Sequence, residues 1–183
     1  MSSLITADYF NEQMATFGLK STFAPSSYAL DTLIEEASDW VEGYCDRRFA
    51  LESATQVLRG PNRVNRKLVL DDYPVTEVTS IDWEDGLITG SHSPSDVRIL
   101  PGGVLEVKNV ALWEFIPERT YTVEYERGFA TIPSNVQRAV GLKIANLVQP
   151  QYQGPQDREV FMVTNLDQMI VDLLEPFRRE RLA

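Results

Sequence analysis

Apolar residues recur along this chain with a helical period near both ends and with a period of two between them. Near the start, Tyr9, Phe10, Met14 and Phe17 fall on one side of a short helix over about 6–17, with Thr6 placed to cap it and Gly18 to end it. A longer helix is predicted over about 28–48. There Leu30, Leu33, Ile34, Ala37, Val41 and Tyr44 keep the i, i+3, i+4, i+7 spacing, while Asp31, Glu35, Glu36, Asp39 and Glu42 take the other faces and Arg47 and Arg48 suit the carbonyl end.

From about 54 to 125 the period becomes two. Strands are predicted at Thr55–Leu58, Lys67–Leu70, Val75–Trp83, Val97–Leu100, Val104–Val107 and Thr120–Tyr125. Gly60-Pro61-Asn62, Asp71-Asp72-Tyr73-Pro74, Asp85-Gly86 and Pro101-Gly102-Gly103 are turn signals between them, the last reading as a hairpin. Leu112, Trp113, Phe115 and Ile116 follow neither period and are assigned to core packing. After Gly128, Pro133 and Ser134 open a third helix over about 133–149, whose stripe is Val136, Ala139, Val140, Ile144, Leu147 and Val148. Pro150 ends it, and the glutamines, Gly154 and Pro155 that follow favour a loop. A last helix over about 165–175 has Asn165 as its cap and Leu166, Met169, Ile170, Leu173 and Leu174 as its stripe, until Pro176 stops or kinks it.

This order of periods predicts an α+β fold: a bundle of about four helices with a strand-rich region inserted at about 54–125, read as one domain over 1–183. A chain of 183 residues suffices for one sizeable core. No apolar run approaches the roughly 20 residues of a spanning helix, and the first residues do not read as a signal peptide, so a cytoplasmic site of synthesis and no membrane partner are expected. Cys45 is the single cysteine, which excludes an internal disulfide and a multi-thiolate zinc site and suits a small buried side chain. With 17 basic against 27 acidic residues the net charge is -10, which argues against a protein built to hold nucleic acid.

Candidate chemistry is sparse. His92 is the sole histidine and falls in the polar stretch Gly90-Ser91-His92-Ser93-Pro94, where a solvated loop side chain is the expected role. The pairs Asp71-Asp72 and Glu84-Asp85 lie in turns and lack the oxygen spacing of a calcium loop. Phosphate-loop, nucleophile-elbow and dinucleotide fingerprints are missing from the sequence. No catalytic residue, cofactor or metal is therefore assigned, and a small hydrolase with an unrecognised acidic site is the disfavoured alternative. Arg59, Arg63, Arg66 and Lys67 form a basic cluster between two strands, either a solvated turn or a contact for acidic neighbours. Leu173, Leu174, Pro176 and Phe177 beside Arg178, Arg179 and Arg181 combine apolar anchors with a charged rim, the composition of an interface, although packing on the chain's own core would also use such a helix.

The segment Tyr125-x-x-Gly128-Phe129-x-x-Ile132-Pro133-x-x-Val136-x-x-Ala139-Val140 resembles the head-tail connector, or head-completion adaptor, proteins of long-tailed bacteriophages. Residues 28–49, YALDTLIEEASDWVEGYCDRRF, resemble that family's first long helix, with ITADYF, LVLDDYPVTEVTSI and LLEPFRRERL in matching order around it. The resemblance implies a structural virion protein that forms a ring, usually twelvefold, beneath the portal protein after packaging, and meets the next neck or tail-completion protein. DNA would pass through without sequence-specific binding, helped by the acidic excess. The resemblance assigns portal docking to about 173–183, and Arg59, Arg63, Arg66, Lys67, Glu35 and Asp39 are the candidate subunit contacts. A neck or tail-completion protein is the alternative within the same class.

Overall fold

Thr6 accepts the Tyr9 amide on its side-chain oxygen at 3.2 Å, the capping bond expected of a helix N-terminus, and α1 (Ala7–Gln13) follows and runs into a 3-10 turn at Met14–Phe17. The computed structural model describes residues 3–17, 27–109, 111, 113–148 and 166–178. Contacts divide the chain into two units, 1–47 with 131–183 and 48–130. Expectations resting on Gly18, Leu112, Pro150, the glutamine-rich loop, Asn165, Arg179 and Arg181 fall outside the described residues.

The first unit is helical. Helix α2 (Ser27–Cys45) buries Leu30, Ile34, Ala37 and Val41 of the predicted stripe and Cys45 besides, while Leu33 and Tyr44 are half-buried. Glu42 departs from that reading: it is buried at 5% exposure, because it lies beside Val41 and Cys45 at the packed end of the helix. The helix stops at Cys45 through a Schellman arrangement, with Arg47 N–H on Glu42 O at 3.2 Å, Asp46 N–H on Gly43 O at 3.4 Å, and Asp46 itself at φ 52°. Helix α3 (Ser134–Val148) buries residues around most of its circumference and packs against both α2 and α4 (Leu166–Leu174). Pro133 stands just outside α3, its carbonyl accepting the Val136 and Gln137 amides. Phe10 of α1 and the preceding Leu4 and Ile5 are buried too, and Leu4 N–H donates to the buried Ser38 Oγ at 3.1 Å.

The second unit has two antiparallel sheets. One has the order β1 (Glu52–Arg59), β7 (Thr120–Arg127), β3 (Val75–Asp85), β4 (Ile88–His92); the other has the order β2 (Lys67–Val69), β6 (Val104–Val107), β5 (Val97–Leu100). Their apolar faces share one core in which Tyr121, Val123 and Tyr125 meet Ile81, Leu68, Leu105, Val107 and Phe115. The alternation read at Tyr121, Val123 and Tyr125 is the buried face of β7. Strand β4 has no counterpart among the expected strands. Its Thr-Gly-Ser centre is poor in strand formers, and it pairs because the Asp85-Gly86 turn returns the chain along β3 and Gly90 leaves room for the Trp83 ring opposite, which a Cβ there would meet at 2.5 Å.

Polar groups pin this core at one end. Arg127 reaches Asp72 at 2.8 Å and Glu52 at 2.6 Å, and Tyr125 Oη donates to Asp72 at 2.6 Å. Burial, then the hydrogen bond and charge of Asp72, push the Tyr125 phenol well above its usual value. Asp71 is held by Gln56. The Asp71 and Asp72 carboxylates thus hold the turn to the sheet. Among the described residues no helix is long and apolar enough to cross a membrane.

Candidate functional site

The candidate contact residues lie in both units. In the helical unit, exposed Glu35 and Asp39 share α2 with Trp40, and Trp40 stacks on Tyr44 at 5.5 Å between centroids. Lys143 of α3 sits 4.2 Å above the Trp40 ring and Arg178 sits 5.6 Å from the Tyr44 ring, so a cation–aromatic strip links α2, α3 and the segment after α4. Sequence reading missed this strip, since i, i+4 spacing of Trp40 and Tyr44 signals only a shared helix face. Beneath it, burial pushes the Cys45 thiol up to about 11, against the lowering effect of Arg47 and Arg178, which makes it a poor nucleophile at neutral pH.

The carboxy-terminal candidates divide by environment. Leu174 is buried with Ile170 and Leu166, so it anchors α4 in its own unit; Leu173 and Phe177 are half-buried, and Pro176 and Arg178 are exposed. A 3-10 turn at Glu175–Phe177 follows α4 directly, with Pro176 inside it and the Arg178 amide on Glu175 O at 3.2 Å. Arg179 and Arg181 lie outside the described residues.

In the β unit the basic cluster is partly engaged. Arg66 donates to Val107 O at 3.2 Å and Lys67 lies 3.9 Å from Glu106, while Arg59 at the end of β1 and Arg63 in the following loop are exposed. Glu106 is also clamped by Arg98, and that hydrogen bond, with the nearby positive charges, holds its carboxyl below the usual range.

His92 departs from the solvated loop expected of it. It closes β4, lies flat on Trp113 at 3.7 Å and 4°, and has a buried Nε2 with no hydrogen-bond partner. Arg119 covers the neighbouring Trp83 ring at 3.6 Å, and Trp113 Nε1 donates to Asp96 at 3.3 Å. Burial first, and then Arg119, hold the imidazole below its ordinary value against the opposing pull of Asp96. The ring packs into an aromatic wall. Trp113 and Phe115, which fit neither period, belong to that wall, with Phe115 fully buried. Among the described residues no group of three or more His, Cys, Asp or Glu side chains is arranged to hold a metal.

The head completion protein family matches residues 3–154, and the chain belongs to that family, whose members are structural proteins of the virion. No curated protein matches the sequence. Among solved structures, a chain from the virion of a native gene transfer agent (GTA) particle aligns with TM-score 0.68 at 16% identity, covering 98% of this chain and 92% of that one. A chain from the neck of an empty GTA particle, computed with C6 symmetry, gives 0.65 at 17%, covering 95% and 90%. A third, from the neck of a native GTA particle computed with C12 symmetry, gives 0.60 at 17%, covering 98% and 95%. At these identities the likeness is one of fold.

Proposed function

We propose that this chain is a neck protein of a phage-type particle that assembles as a ring on the portal of the filled head and offers its far side to the next neck or tail-completion protein. The observation that carries the reading is the agreement of two comparisons: the head completion family spans residues 3–154, and chains from GTA necks share the fold over nearly the whole length. The C6 and C12 symmetries of those necks support a cyclic arrangement, twelvefold in the virion. The whole chain then acts as a single adaptor, with the strand-rich unit inserted between helices. Its mechanism is geometric: binding surfaces are presented, and no bond is made or broken. Packaged DNA passes through, and the net charge of -10 per copy keeps it from adhering.

Portal docking falls to the end of the chain, through Leu173, Pro176, Phe177 and Arg178 with Arg179 and Arg181 beyond them, while Leu174 fastens the element to its own unit. Exposed proline and arginine beside half-buried Leu173 and Phe177 give anchors with a charged rim. Ending the chain after Leu174 keeps that buried side chain and Leu173, and removes the docking residues from Pro176 onward. That variant is expected to retain its circular-dichroism spectrum and to lose co-sedimentation with portal-bearing heads. A folded truncation that still sediments with the heads moves the portal contact elsewhere.

A further inference from the structure

The four-stranded sheet has two open edges. Strand β1 pairs only with β7 and β4 only with β3, and among the described residues no backbone hydrogen bond reaches the outer side of either strand. Exposed edges usually carry a proline, a bulge or an inward charge that discourages pairing. Neither strand carries a proline or a bulge: β4 reads Ile-Thr-Gly-Ser-His, and β1 confines its charges to its ends, Glu52 and Arg59, with Val57 at 65% exposure between them.

We propose that β4 of one copy pairs with β1 of the next, continuing the sheet from subunit to subunit around the ring; this rests on the ring reading above. Three features favour a second copy as the occupant. Polarity is the first. Each neighbour in the order β1-β7-β3-β4 is antiparallel, so β4 runs opposite to β1 and the junction repeats the same antiparallel pattern. Closure is the second. The two edges differ, so their contact is head-to-tail, the kind that closes into rings, whereas a pair of β4 edges would stop at a dimer.

Charge is the third feature. The register places Arg59, Thr120, Glu84 and Thr89 in one row across the sheet, and Val57, Thr122, Asp82 and Ser91 in another. In unstaggered pairing, Arg59 of the next copy stands beside Thr89, two strand spacings or about 10 Å from Glu84. Two long side chains span that gap. The exposed Val57 of the next copy lands beside Ser91. The basic end of β1 thus meets an acidic face on its neighbour.

The test uses the full-length chain carrying Val57→Cys and Ser91→Cys, assembled on portal-bearing heads and oxidised. Directly paired strand positions are about 4.5–5.5 Å apart at Cα, within disulfide range, and the buried Cys45 stays out of the reaction. A ladder of disulfide-linked multimers reaching the ring's copy number is expected from the double variant, with nothing above dimer from either single variant. In parallel, Arg59→Glu should lower ring occupancy several-fold and Glu84→Arg added to it should restore it. Rings that form normally, yield no ladder and ignore both charge changes overturn edge pairing and leave the ring reading intact. If the unmodified chain forms no ring on portal-bearing heads, both fall.

Discussion

His92 shows how a residue's neighbours set its chemistry. Its flat stack on Trp113 leaves Nε2 buried without an acceptor, so charging the ring strands a cation where only Asp96 offers compensation and Arg119 opposes it. Because its folded value is depressed, the stability contribution of His92 is complete above the unfolded value of about 6.5 and is lost as pH falls toward the lower folded value. Thermal melts of the wild-type protein and His92→Phe between pH 7.5 and 5 should therefore diverge, the wild type losing melting temperature faster below about pH 6.5. Parallel curves would show that the ring is hydrated when charged. Nothing in Gly90-Ser91-His92-Ser93-Pro94 announces this environment, since the stacking partners arrive from Trp113 and Tyr121, well along the chain.

Strand β7 and helix α3 are joined through Gly128, whose φ is 100° and whose missing Cβ would lie 2.2 Å from Ala50 O. Gly128 N–H donates to Pro74 O at 2.9 Å, which holds the end of β7 within its own unit. Replacing Gly128 by Ala adds a disfavoured dihedral and a backbone clash, an expected cost of at least about 2 kcal/mol. For a chain of this length that is a fall of roughly 4–8 °C in melting temperature by calorimetry; an unchanged Tm would mean that the junction relaxes freely. This element was legible in the sequence because a period-two run, a glycine and a proline-started helix each carry their own signal. Strand β4 was not, because Thr89, Gly90 and Ser91 pair through the turn and the space under Trp83, and neither follows from propensity. Exposure was legible for Arg63, Glu35 and Asp39, whereas Arg59 ends β1 and not a loop, and the burial of Leu174 depends on packing of α4 against α3. Which strands form the sheet edges depends on the order β1-β7-β3-β4, which sequence proximity does not reveal.

At the scale of the whole molecule, the net charge of -10 sets copies of the chain against one another, so on the proposed reading a portal is expected to nucleate the ring and the isolated chain to associate weakly. The proposal rests on family membership over residues 3–154 and on a fold shared with chains of a GTA virion and of GTA necks. The direct measurement is cryo-electron microscopy of DNA-filled heads from a lysate lacking this chain, imaged before and after the purified protein is added. A new ring at the portal vertex alone is expected, twelvefold as in the C12 neck, with density that the fold of this chain fills. Heads whose portal vertex is unchanged after addition, or decorated equally at every vertex, would contradict it.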